Sequence, residues 1–378
     1  MSKQQSPRRI LLAVTGLTPQ IVTETLYALA CRPEAPWIPH EVHLITTATG
    51  ANNARLNLLT GAGWFHRLRQ DYGLPPITFG VEQIHVLQDA EGQPLDDIRT
   101  QNDNTLAADC ITDTLRQLTQ DPNTELHVSI AGGRKTMGYY LGYALSLYGR
   151  PQDRLSHVLV SDPYETNRDF YYPTPYEQPI HSRRGDKEIT VDARDAKIDL
   201  AAIPFVLLRD GLPERLRTGQ ACFSRAVETA NRGLQPAMLV IDMAQRQIIA
   251  DDEPIALTQT ELLIVLWLAQ RTQQGATQTD WSQPELAQEF LTQIVAEHCN
   301  PHSADYGRIE EALVERIKYF EKHDELQAIT SYFEPHKANI NKKIRDALGK
   351  RSAERYVIGR GKNNPLPLSP EHIKIISD

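Results

Sequence analysis

Residues 10–20 read ILLAVTGLTPQ, five consecutive apolar residues followed by a turn rich in Thr, Gly and Pro. An unbroken apolar run of strand length is what a strand buried on both faces requires, and the polar stretch after it is a strand-to-helix turn. Working outward, the alternation repeats. A helical stretch over 21–30 puts Ile21, Thr25 and Leu29 on one face, and EVHLITTA (41–48) is a second strand with polar residues Thr46, Thr47 and Thr49 at its end. A helix with Ala54, Leu58 and Leu59 follows, then a strand in VEQIHVLQD (81–89) and an amphipathic helix over 104–121. ELHVSIAGG (125–133), KTMGYYLGYALSLYG (135–149) and HVLVSD (157–162) read strand, helix, strand. Repeated β-α units with buried strands define an α/β fold, a Rossmann-like parallel sheet with helices on both faces.

The 378 residues suffice for two domains. We place the first at 1–200, closing with a hairpin or loop excursion over 163–200, and the second, a smaller α+β unit, at 201–378. Forty basic against 48 acidic residues give a net charge of −8, which excludes a generally basic nucleic-acid coat but leaves room for a local patch. No apolar run approaches the roughly 18 residues of a membrane span, and the N-terminal run is too short for a secretory signal. Cys31, Cys110, Cys222 and Cys299 stand apart without a CxxC pair, so neither a disulfide frame nor a zinc knuckle is expected. A cytoplasmic protein without cofactor, metal or membrane contact is the expectation.

Two loops at the carboxyl ends of strands carry the chemistry: V-T-G-L-T-P-Q (14–20) and S-I-A-G-G-R-K-T-M (129–137). Open parallel sheets bind ligands at this edge. Gly132 and Gly133 let backbone N–H groups approach an anion, while Arg134, Lys135 and Thr136 bring charge and a hydroxyl to a helix N-terminus. The bland alternative is a tight Gly-Gly turn beside a solvated basic pair. In the first loop, Thr18 caps the helix and Pro19 opens it. The functional reading adds contacts from Thr15, Gly16, Thr18 and Gln20, with Thr47 and Thr49 from the second strand's end, to a phosphate or ribose. Neither GxxxxGK[ST] nor GxGxxG occurs here. His127 is expected to be a satisfied core histidine.

A-V-T-G-L-T-P-Q-I-V-T-E-T-L together with S-I-A-G-G-R-K-T-M-G-Y-Y resembles the CRISPR-associated Rossmann-fold (CARF) family, in particular its ring-nuclease-like branch. D-I-R-T-Q-N-D-N (97–104) and V-S-D-P-Y-E (160–165) resemble that branch too. The resemblance covers roughly residues 8–180. It implies a homodimer whose equivalent loops form one pocket for a cyclic oligoadenylate, usually cyclic tetra-adenylate. It also implies that Lys135 and Arg134 are phosphate-contacting positions, with a hydroxyl residue at Thr15 or Thr18; some ring nucleases carry serine in that loop. Metal-independent cleavage would then use Lys135, Arg134 and Thr15, the ribose 2′-hydroxyl attacking its own phosphate in line.

The second half changes style. MLVIDMAQRQIIADDEPIALT (238–258) is a small antiparallel unit, followed by a helix with Leu262, Leu263, Leu266 and Trp267 facing a core. Ser282 is the expected N-cap of the next helix, and HKANINKKIRDALG (336–349) is a basic helix ending at Gly349. With RYVIG and its successor read as strand, turn, strand, the order is that of a winged helix-turn-helix. Nine basic residues against Asp346 and Glu354 lie between His336 and Lys362. Asn339, Asn341, Lys342 and Arg345 are expected on the exposed face of a recognition helix, with Lys343 and Arg360 as further duplex-DNA contacts. A solvated helix at a packing interface is the alternative. Arg316 and His323 fit the loose R-x6-H spacing of HEPN ribonucleases. Ring cleavage and messenger-regulated DNA binding therefore stand as the two competing functions, with a HEPN-type nuclease behind them.

Overall fold

The computed structural model describes residues 7–32, 35–184, 187–219, 222–232, 236–276, 279–325, 327–359 and 366–376. The chain divides into two compact units, one of 1–209 with 217–226 and one of 210–216 with 227–378.

The first unit opens with β1 (Arg8–Val14), α1 (Gln20–Ala30), β2 (Glu41–Thr46) and α2 (Ala48–Ala54), which widens into a π-helical turn over Arg55–Leu59. α3 (Trp64–Asp71), β3 (Ile84–Val86), α4 (Gln101–Leu118), β4 (Thr124–Ser129), α5 (Lys135–Tyr148) and β5 (Arg154–Val160) follow. β6 (Pro179–Arg184) and β7 (Lys187–Asp192) make the hairpin, and β8 (Ile198–Ala202) returns to the main sheet. The six-stranded sheet has the order β3-β2-β1-β4-β5-β8, parallel throughout except for β8, which runs antiparallel to β5. Ile10 through Val14 are almost wholly buried. At about 1.5–3 kcal/mol for each large side chain removed from water, this strand anchors the core.

The order reverses between β1 and β4. These strands are neighbours, yet β1 leads on to β2 on one side and β4 to β5 on the other. The loops after β1 and β4 therefore diverge from a shared point at their carboxyl ends, opening a crevice between them. α1 begins at Gln20 with no side-chain cap, so Thr18 does not cap it as the sequence suggested. Thr15 takes the role of closing the turn.

The second unit contains α6 (Glu214–Thr218) in part, and α7 (Phe223–Arg232) spans the division. Its own sheet has β9 (Leu239–Asp242), β10 (Gln247–Ala250) and β11 (Glu253–Ala256) antiparallel in sequence, as their alternating pattern suggests. α8 (Gln259–Gln273) is buried on every side from Glu261 to Ala269. α9 (Pro284–Glu289) runs through a π-helical segment into α10 (Ala296–His298), then α11 (Ala304–His323) and α12 (Gln327–Ala353) follow. Trp267, Trp281, Phe290 and Phe333 interlock at the centre, with the Trp281 and Phe333 rings stacked at 5.1 Å.

Several local expectations are corrected here. Ser282 bonds Asp280 while Gln283 precedes α9 without a side-chain cap, Pro284 supplying the preset φ at its start. α12 breaks at Gly349 (φ 75°) and resumes to Ala353; glycine suits the break, since it takes the positive φ and a Cβ there would press within 2.6 Å of the Gly211 carbonyl oxygen. Residues 354–356 form a turn and 357–359 run on without regular structure, where a first strand of a wing was expected. The last strand, β12 (Ile373–Ile376), pairs parallel to β9 at the sheet's edge. A hairpin wing is absent among the described residues.

Candidate functional site

The β1–α1 and β4–α5 loops come into contact where the sheet order reverses. Gly132 is required there: a Cβ would sit 2.7 Å from the Val14 carbonyl oxygen and 3.0 Å from the Ile21 side chain. Gly133 adopts φ 79°, a left-handed conformation that L side chains rarely take. This pair turns the chain so that α5 starts at the crevice, with Arg134 in the extended cap position and Lys135 first in the helix.

Beside this junction lies a cleft of about 980 Å³. Gly16, Gly133, Arg134, Lys135 and Thr136 line it from the two loops, and Thr47 and Thr49 from the end of β2. Lys135 is exposed and has no hydrogen bond or ion pair among the described residues. Its ammonium and the positive end of the α5 dipole make this end of the cleft attractive to an anion. Thr47 is buried and its hydroxyl accepts from Gly50 N–H, capping α2; Thr49 is exposed.

Four expected ligand contacts lie elsewhere. Thr15 is fully buried, and its hydroxyl donates to the Thr18 carbonyl at 2.7 Å. It holds the first loop in shape and is not among the residues that line the cleft. Thr18 and Gln20 line other cavities, on the far side of the loop. Gly132 serves the close approach just described.

Arg134 is not free. It forms a bidentate pair with Asp97, its Nε 2.9 Å from one carboxylate oxygen. The guanidinium, helped by the Ile98 backbone N–H and Arg99, holds the Asp97 carboxyl down at about 2. Asp97 and Arg99 also line the cleft. Residues 97–104 carry part of the resemblance, but no local sign marks Asp97 as the partner of Arg134, 37 residues away. His127 is buried and burial lowers its pKa to about 4, so it is a neutral core residue, but only half satisfied: Nε2 bonds Ser156 Oγ at 2.8 Å while Nδ1 has no partner among the described residues.

The basic stretch of the second unit presents a different picture. Asn341, expected on an exposed face, is 8% exposed and exchanges two hydrogen bonds with the Ile358 backbone. Lys343 bonds Glu261 at 2.6 Å, Arg345 lies 3.6 Å from Glu354, and Arg355 is held by Asp251. Lys337 is buried against Trp281 and Glu334. Asn339 and Lys342 remain exposed, and Arg360 and Lys362 lie outside the described residues. Arg316 is engaged by Ser331 and the Tyr332 ring, while His323 packs on Tyr319. Each has a local structural role. Among the described residues, no group of three or more His, Cys, Asp or Glu could hold a metal ion, and no helix is long and apolar enough to cross a membrane.

Fold and crevice together define an open α/β protein with an anion-attracting cleft at its topological switch point. The model of the family described as CRISPR-associated protein NE0113 matches residues 18–236, more than half of the chain. The chain belongs to this family. Among solved structures it is similar to Enterococcus italicus Csm6 bound to cyclic hexa-2'-fluoro-hexa-dAMP, at 15% identity and a TM-score of 0.26. The match covers 90% of this chain and 60% of that one, so the chain spans less than two thirds of its length. No curated protein matches the chain.

Proposed function

We propose that the chain is a CARF-type protein of type III CRISPR defence that binds a cyclic oligoadenylate, with cyclic tetra-adenylate as the ring, in a pocket shared by two chains. The observation carrying this reading is Lys135: an exposed, unpaired cation in the first turn of α5, in a cleft at the switch point of a CRISPR-associated family member. A ring of phosphodiesters presents one negative charge at each linkage, and a second copy of the cleft would supply a second such cation. Leu17, at the rim, is 64% exposed, an apolar residue that a partner chain would cover.

Cleavage is the activity this site supports best. The ribose 2′-oxygen attacks its adjacent phosphorus, the bond to the 5′-oxygen breaks, and the proton lost from the 2′-hydroxyl ends on the leaving 5′-oxygen. The products carry a 2′,3′-cyclic phosphate and a 5′-hydroxyl. Charge on the non-bridging oxygens rises in the transition state, so Lys135 binds it more strongly than the ground state. Labelled cyclic tetra-adenylate incubated in EDTA should yield linear products with cyclic-phosphate ends. Lys135→Ala should slow single-turnover cleavage by roughly 10²–10³. Cleavage at the wild-type rate by saturated Lys135→Ala would remove Lys135 from the chemistry. The DNA-binding regulator is the weaker reading, because its recognition helix keeps few of its named contacts free.

A further inference from the structure

Across the 16–20 loop from the cleft lies a second, smaller cavity of about 220 Å³. Water occupies about 30 Å³ per molecule, so the space is on the order of seven waters, room for one heteroaromatic ring system. Ile21 and Val158 give it buried apolar walls. Two polar groups in it lack partners. Gln20 is 8% exposed; its amide nitrogen donates to the Arg168 carbonyl, but its Oε1 is buried with no hydrogen bond. Glu24, one helical turn on, is 6% exposed and its carboxyl has no hydrogen bond among the described residues. Buried acceptors left unmatched are costly, and a ligand bringing donors would satisfy them.

The cavity is also correctly placed. Leu17 lines the cleft and Thr18 the cavity; Gly133 lines the cleft and Ala131 the cavity. On both loops the two spaces are separated by one or two residues, at about 3.8 Å between successive Cα atoms. Cleft and cavity therefore adjoin across the same two loops. We infer that this cavity is a base pocket, in which Glu24 and the Gln20 side-chain carbonyl read the 6-amino edge of an adenine whose phosphate rests at the α5 N-terminus.

This inference rests on the proposed ligand. Adenine brings two N–H donors at its 6-position and an acceptor at N1. Burial, reinforced by Glu165, raises the Glu24 pKa to about 8, so at neutral pH the carboxyl is protonated. It then accepts from one N6–H and donates to N1, while Gln20 Oε1 accepts the other N6–H. A 6-oxo purine would set its oxygen against Gln20 Oε1, two acceptors facing each other. The remaining charged or titratable groups facing the cavity are Glu165, His157 and Arg168.

The test compares cyclic tetra-adenylate with the same ring made of inosine, on full-length wild type, Glu24→Gln and Glu24→Leu, from pH 6 to 9. Gln presents the same donor and acceptor as a neutral carboxyl, and leaves Glu165, His157 and Arg168 unchanged. Wild type should prefer the adenine ring by about 10- to 100-fold, and lose about tenfold in affinity by pH 9 as Glu24 ionises. Glu24→Gln should keep the preference with a flat pH profile, and Glu24→Leu should lose it. Equal binding of both rings, or variants that match wild type at every pH, would overturn the pocket while leaving phosphate binding at the cleft intact. If wild type binds neither ring, the proposed function fails, and adenosine alone decides the pocket by NMR. Adenosine shifting the Val158 methyls in wild type but not in Glu24→Leu supports the pocket; no shift in wild type ends it.

Discussion

The Arg134–Lys135 pair and the basic run from Lys337 to Arg355 are built from the same kinds of side chain, but their charges are used differently. In the first unit two cations flank a helix start at a crevice, one unpaired and one held by Asp97. In the second, four of the run's seven cations are engaged inside their own unit, Lys337 on Glu334 and Trp281, Lys343 on Glu261, Arg345 near Glu354 and Arg355 on Asp251, while Lys342, Lys350 and Arg351 stay exposed. A count of basic residues reports charge along the chain. It does not report the field left over once carboxylates from elsewhere in the fold have paired with it.

The largest effect that separates the two regions should come from Asn341. Its side chain satisfies both the N–H and the carbonyl of Ile358 from a buried position. Asn341→Leu should destabilise the protein by about 2–4 kcal/mol, two buried backbone groups losing partners, as read by urea denaturation. A neutral effect would restore Asn341 to an exposed, DNA-facing role.

Glu24 should make stability fall with pH. Its carboxyl ordinarily ionises near 4.5 but holds its proton to about 8 when folded. Between those values the native state binds the extra proton, so stability declines as pH rises through this window. Thermal melts at pH 5 and pH 8 should show a steeper loss for wild type than for Glu24→Gln. Parallel losses would mean that Glu24 is solvated.

Asp97→Asn acts on the paired cation of the first unit. The substitution frees Arg134 and removes a negative charge from the cleft, so ring binding at low salt should tighten by about three- to fivefold, the scale of an exposed ion pair. Weaker binding would mean that Asp97 orients Arg134 towards the ligand. The smallest effect belongs to Lys342→Glu, at an exposed position with no partner among the described residues. Stability should change by less than about 0.5 kcal/mol, and retention on duplex DNA should not change. A reduction of about one in the salt slope of duplex binding would return the helix to a nucleic-acid role.

The parallel sheet was legible because strands such as Ile10–Val14 are continuous apolar runs that only double-sided burial explains. β8 was not, since Ile198–Ala202 is short, carries Asp199 and follows a Pro-rich, charged stretch. The two loops could be located from the turn residues at strand ends, and Gly133, Arg134, Lys135 and Thr136 do line the cleft. Which side chains face it could not be read locally. Thr15 looks like any loop hydroxyl until the Thr18 carbonyl is seen to accept its hydrogen bond, and Asp97 meets Arg134 only through tertiary folding. Gln20 and Glu24 did leave a sign: they are polar residues one turn apart in a helix that is otherwise largely apolar and almost entirely buried.

The central claim is that the Lys135 end of α5 holds the phosphates of a ring shared by two chains. Calorimetric titration of cyclic tetra-adenylate into wild type and Lys135→Glu tests it most directly. Wild type should bind one ring for every two chains, and the variant, in which a repelling charge replaces the cation, should give no measurable heat of binding. One ring per chain would break the shared pocket, and equal affinity in Lys135→Glu would place the phosphates somewhere other than this cleft.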